Sequence, residues 1–95
     1  MNVTVIFLGP LRNSIGKDKM IFKFEGEVSV KDLLLKLRGC LADDAKKMIF
    51  TDTSYNTRPE IIILVNDISL DCLGGLDFKL SDGDVVVFLP TVHGG

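Results

Sequence analysis

An α+β domain, with a mixed sheet folded across one main helix, is what this sequence predicts. Short β-branched runs stand near both ends of the chain, and a single stretch between them, Val30 to Leu37, carries helical spacing. Tight-turn residues, Asn66-Asp67 and Asp82-Gly83-Asp84, separate the later runs. Strand, strand, helix and then further strands is an order that packs a sheet against one helical layer.

The first run, Asn2 to Leu8, sets Val3, Val5 and Phe7 on one side and Thr4, Ile6 and Leu8 on the other. Apolar residues on both sides predict a strand covered on both faces. Between Gly9 and Gly16, Pro10 suits a first helical position and Gly16 a helix end with positive φ, so a single short helical turn is expected. Met20 to Glu25 alternates with Met20, Phe22 and Phe24 on one face, which closes a hairpin with a long loop.

Ser29 precedes Val30, Leu33, Leu34 and Leu37, spaced i, i+3, i+4 and i+7, with Asp32 placed to complete an N-terminal cap. Gly39 interrupts this helix; Leu41, Ala45, Met48 and Ile49 resume its spacing, with Asp43 and Lys47 placed for an i,i+4 pair. Thr51 to Glu60 is polar and aperiodic and reads as a surface loop, including Tyr55 and Arg58. Ile61 to Val65 is a continuous run of the kind expected of a central strand, ended by Asn66-Asp67 in hairpin-turn geometry. Ile68 to Asp71 returns briefly, Leu73 to Leu76 is a turn-rich connection, and Val85 to Leu89 is the last strand, again expected to be buried on both faces. Turn chemistry around Gly83 accounts for Asp82 and Asp84 without a metal.

Composition narrows the function. With 95 residues, 46% of them hydrophobic, the chain makes one small domain with little left over for a deep enzyme pocket. Eleven basic and 13 acidic residues leave no electrostatic footprint for nucleic acid or an anionic membrane. The longest apolar runs hold five residues, against the ~20 that cross a bilayer. Without a basic, apolar leader at the amino terminus, a cytoplasmic protein is expected. Cys40 and Cys72 have no metal-ligand spacing and are expected to be small buried hydrophobes.

The segments Leu64-Val65-Asn66-Asp67, Leu80 through Pro90 with its Asp-Gly-Asp turn, and Thr91-Val92-His93-Gly94-Gly95 closely resemble the sulfur-carrier branch of the ubiquitin-like, β-grasp superfamily. That branch includes the molybdopterin synthase small subunit, the thiamine-pathway sulfur carrier, the ubiquitin-related modifier of tRNA thiolation and the small archaeal modifiers. The likeness extends to the first strand, the turn from Arg12 to Gly16 and the helix from Val30 to Leu37. A terminal Gly-Gly alone says little, since Gly at about 7% of residues puts it in roughly one chain in two hundred. Its fixed distance from the turn, the hydrophobic strand and Pro90 is far more specific.

This resemblance implies a ubiquitin-like domain over residues 1–89 and a flexible tail over 90–95. It also implies that the Gly95 carboxylate is the reacting group. A ubiquitin-activating-enzyme-like adenylyltransferase using ATP and Mg²⁺ would join Gly95 to AMP. A sulfur donor protein would then displace AMP to leave a thiocarboxylate, which serves molybdopterin or tungsten cofactor synthesis, the former with the molybdopterin synthase large subunit as partner, or tRNA thiolation. The chain itself would bind no cofactor and catalyse nothing alone. Gly94 and Gly95 lack a Cβ, so a narrow tunnel can close around them. Six residues from Pro90 onward extend to about 20 Å. Leu89 or Phe88, whichever points outward, Pro90 and Val92 are the expected docking residues, and His93 is a tail residue of open role. Two alternatives stay open: conjugation of Gly95 to lysines of target proteins, and a ubiquitin-like interaction module whose end never reacts.

Overall fold

A computed structural model of the chain describes residues 1–91. Its strands are β1 (Asn2–Phe7), β2 (Lys19–Lys23), β3 (Ile61–Val65), β4 (Ile68–Ser69) and β5 (Val85–Pro90). They form one sheet in the order β2-β1-β5-β3-β4, with β1 and β5 parallel and all other neighbours antiparallel. Three helices, α1 (Pro10–Ile15), α2 (Val30–Cys40) and α3 (Asp43–Ile49), complete the expected α+β architecture together with a 3₁₀ turn at Leu70–Leu73.

Local chemistry fixes the helix ends. Pro10 occupies the first turn of α1, and Gly16 closes it at φ 86, in the left-handed region that suits glycine. At the start of α2 the Asp32 main-chain N–H donates to Ser29 Oγ at 3.2 Å, while Asp32 Oδ2 accepts from the Ser29 N–H at 3.0 Å. This reciprocal cap satisfies two donors that the first helical turn would otherwise orphan. The stripe Val30, Leu33, Leu34 and Leu37 is fully buried in the same core as the inner face of the sheet.

Several expectations change. α2 continues through Gly39 to Cys40 and ends when Leu41 turns extended to bury its side chain. Asp43 pairs with Lys46, at 3.7 Å, rather than with Lys47; the i,i+3 neighbour is within reach, and a pair this exposed adds little stability. Cys40 and Cys72 are both exposed, because each sits on the solvent side of a helical segment whose other side supplies the core.

Neither β1 nor β5 is buried on both faces. Val3, Val5, Phe7, Val86 and Phe88 fill the inner face, whereas Thr4, Ile6, Val85, Val87 and Leu89 are only half-buried on the outer one. A chain of this length supplies one helical layer, not two. The central strand is β5; β3 lies one place further out, beside the two-residue β4. A continuous apolar run reports how greasy a strand is, not which strands flank it.

Candidate functional site: the platform of the carboxyl-terminal tail

Val92, His93, Gly94 and Gly95 lie outside the described residues. What the structure shows is the platform from which they depart, and it is built from β5, β3 and the loop after β1. Phe88, named above as a docking candidate, is a core residue: it is fully buried with its ring centroid 5.8 Å from that of Phe7. Strand alternation therefore turns Leu89 to the outer face.

Pro90 belongs to β5 rather than to the tail, in register with Ile61. A proline inside a central strand needs a reason, since it cannot donate to the ladder. Leu8 N–H donates to the Phe88 carbonyl at 3.2 Å, and Thr91 N–H donates to the Glu60 carbonyl at 2.7 Å. Even-numbered residues of β5 thus address β1 and odd-numbered ones address β3. Pro90 faces the β1 side just past the Leu8–Phe88 rung, so its missing N–H closes the β1–β5 ladder at its end rather than interrupting it. At that level the chain turns away through Gly9, at φ 58 and ψ −139, a conformation open to glycine. A Cβ on Gly9 would stand 3.5 Å from Pro90 Cγ, so the loop and the proline are in contact range.

Thr91 is the last described residue, and it is held twice. Its Oγ1 donates to the Glu60 carbonyl at 2.8 Å, alongside the bond from its own N–H. Pro90 and Thr91, two residues past the boundary expected at Leu89, are thus bonded or paired to the β3 side of the sheet. Nothing in the sequence pointed to Glu60, because its main chain, not its carboxylate, makes the contact.

Beside this exit lies the outer face of the sheet. Ile6, Val87 and Leu64 form one row across β1, β5 and β3, and Leu89 and Ile62 form the next row toward Pro90. Ile21, 59% exposed, extends the apolar surface across β2, where Lys19 and Lys23 share its face. An apolar sheet face ending at the tail's exit is a surface suited to partners.

Asp82 and Asp84 are engaged in holding turns. Asp82 Oδ1 accepts from the Asn2 N–H at 2.7 Å, and Asp84 accepts from the Ser81 N–H at 2.8 Å and from Asn66 Nδ2 at 2.9 Å. Tyr55 receives the Lys31 ammonium 4.6 Å above its ring, and Arg58 Nε donates to the Lys47 carbonyl, so both brace the loop. Two hollows, of about 440 Å³ along the outer edge of β3 and about 250 Å³ among Arg38, Lys46, Lys47 and Arg58, do not include Leu89, Pro90 or Thr91.

Residues 2–95 match the family model for Urm1 (Ubiquitin related modifier). The chain belongs to this family. A ubiquitin-related modifier 1 homolog from Dictyostelium discoideum is 31% identical over an alignment of 98 residues that covers all of both chains. Among solved structures, Urm1 from Trypanosoma brucei superposes with a TM-score of 0.80 at 27% identity, covering 99% of this chain and 95% of that one. A chain of the Amycolatopsis orientalis BexX/CysO complex superposes with a TM-score of 0.71, also at 27% identity, over 98% of this chain and 99% of its own. The fold is accordingly the ubiquitin-like β-grasp, and the protein is a ubiquitin-like carrier or modifier of the Urm1 type, not an enzyme. Family membership implies interaction with activating and sulfur-transfer proteins.

Proposed function

We propose that Gly95 is the reacting residue and that its sulfur is destined for tRNA thiolation. One carboxylate oxygen of Gly95 attacks the α-phosphorus of ATP on an adenylyltransferase related to ubiquitin-activating enzymes, and pyrophosphate leaves. The terminal sulfur of a persulfide on a sulfur donor protein then attacks the acyl carbon; AMP departs with the electrons of the broken C–O bond and an acyl disulfide remains, from which a second thiol, attacking the donor's sulfur, releases the thiocarboxylate and leaves a disulfide on the donor. An ionised carboxylate is a poor acyl group, which is why the phosphoanhydride is needed. The partner supplies ATP, Mg²⁺ and the cationic groups that stabilise the reacting phosphate, while this chain brings no cofactor of its own.

The single observation that carries this reading is a family match that runs to residue 95, past the platform that aims the tail. The match to ubiquitin-related modifiers favours tRNA over molybdopterin or tungsten cofactor synthesis, and with it sets aside the molybdopterin synthase large subunit as the acceptor's partner. Leu89 and Pro90 dock the body, Val92 anchors the tail, and Gly94-Gly95 thread a tunnel too narrow for side chains. The reaction belongs in the cytoplasm, where ATP is present; no helix among the described residues is long and apolar enough to cross a membrane.

A second reading has support in the family's description as modifiers: the same acyl adenylate, attacked by a lysine amine, gives an isopeptide. Intact mass separates the two. After incubation with the adenylyltransferase, ATP, Mg²⁺, the sulfur donor and a reducing thiol, one terminal oxygen is expected to be replaced by sulfur. Lysine adducts without any sulfur exchange would leave conjugation as the function.

A further inference from the structure

We propose that Thr91 is a positioning residue whose two hydrogen bonds to the Glu60 carbonyl set the point and direction from which the reactive tail leaves the domain. The proposal rests on the reading of Gly95 as the reacting residue, and it assigns to Thr91 a task that its neighbours in the sequence cannot perform.

The geometry is specific to this residue. Thr91 N–H and Oγ1 donate to the same oxygen, at 2.7 and 2.8 Å, and so use both of its lone pairs. Any residue except proline could make the first bond; only threonine or serine makes the second from this position. At this level β5 has lost its β1 neighbour, because the chain has left through Gly9, so Glu60 is the strand-side hold on the last rung. The preceding Pro90 has its φ fixed by its ring, and Gly9 leaves space beside it, since a Cβ there would stand 3.5 Å from Pro90 Cγ. Four residues remain beyond Thr91, an extended reach of about 13 to 14 Å. Releasing Thr91 would free one residue from the sheet, and its ordering would have to be recovered when the carrier binds its activating enzyme.

Thr91→Val keeps the shape and the main-chain N–H but deletes the hydroxyl bond, and Thr91→Ser restores it. With the carrier as the varied substrate of the adenylyltransferase and pyrophosphate release as readout, Thr91→Val is expected to raise KM about 3- to 10-fold, a part of the roughly 5- to 30-fold that full release of one residue would cost, because the main-chain bond remains. kcat should change less than about twofold, since the chemistry at Gly95 is untouched. Thr91→Ser should behave like the parent, and Glu60→Gln, which keeps the carbonyl, should do the same. The urea midpoint should not move, while amide exchange at residue 91 should accelerate in Thr91→Val alone. A parental KM for Thr91→Val, or a KM rise that merely tracks a lower urea midpoint, overturns the proposal. If the parent protein itself is never adenylated, the reading of Gly95 fails; the exchange comparison still decides the hold on Thr91, and unchanged exchange in Thr91→Val refutes it.

Discussion

Phe88 and Leu89 are adjacent in β5 and do opposite things. Replacing Phe88 with alanine removes a fully buried ring that touches Phe7, and should lower stability by about 3 to 5 kcal/mol in urea denaturation. Leu89→Ser changes a half-buried outer-face residue; unfolding should shift by less than about 1.5 kcal/mol, while capture of the carrier by its activating enzyme, measured by calorimetry, should weaken clearly. Alternation in the sequence shows that one of the two faces inward, yet nothing local says which, because the choice depends on where β1 places Phe7. Asn66 was legible for a different reason: it adopts φ 49, and its amide both accepts from the Val85 N–H and donates to Asp84. A residue that tolerates left-handed geometry beside a hydrophobic run is a signal carried by a few neighbouring positions. Asn66→Ala should reduce stability by about 1 to 2 kcal/mol. The cysteines were misread because their residue type favours burial on average, whereas Cys40 and Cys72 sit on outward-facing helical positions. Ellman's reagent should therefore titrate both thiols in the native protein, without denaturant.

Among the elements, the helices were the easiest to read. α2 declares itself within a dozen residues, since its cap and its apolar stripe are both local. The Asp32 carboxyl is held below its ordinary value of 3.8 chiefly by the hydrogen bond from the Ser29 N–H and then by the Ser29 hydroxyl. Asp52 is lowered in the same direction by Ser54 and Asn56, which brace the loop before β3. A carboxyl with a depressed native pKa contributes stability that is complete above its unfolded value and fades as the pH falls through the native one. Helix content and urea midpoint should thus be flat from neutral pH down to about 4 to 5 and drop below that. Ser29→Ala should cost about 1 kcal/mol at pH 7 and flatten part of the acid limb, because Asp32 would then lose its hydroxyl partner. The strands were recognisable one by one, but their order was not. That β3 borders only a two-residue β4 on its far side follows from contacts between segments far apart in the chain.

For the molecule as a whole, one face of the sheet is closed by helices and the other is left partly open beside the exit of the tail. Docking of partners on the body of the protein needs this asymmetry, and the expectation of strands buried on both faces missed it by treating every apolar run as interior. The chemistry proposed for the tail was suggested by Gly94-Gly95 and the resemblance, whereas the hold on Thr91 was not suggested by the sequence, since its acceptor is the main-chain carbonyl of Glu60, and a carbonyl leaves no mark in residue type. The parallel pairing of β1 with β5 carries one last implication, for biosynthesis. The strand that completes the middle of the sheet follows every other described element in the chain, so a polypeptide emerging from the ribosome has helices and two hairpins but nothing to join them. A version ending at Asp84 should show no cooperative melting transition by circular dichroism. In the cell, closure of the domain would have to await the very segment that leads into the residues proposed to react, so that a copy terminated before it could not present a folded body to partners.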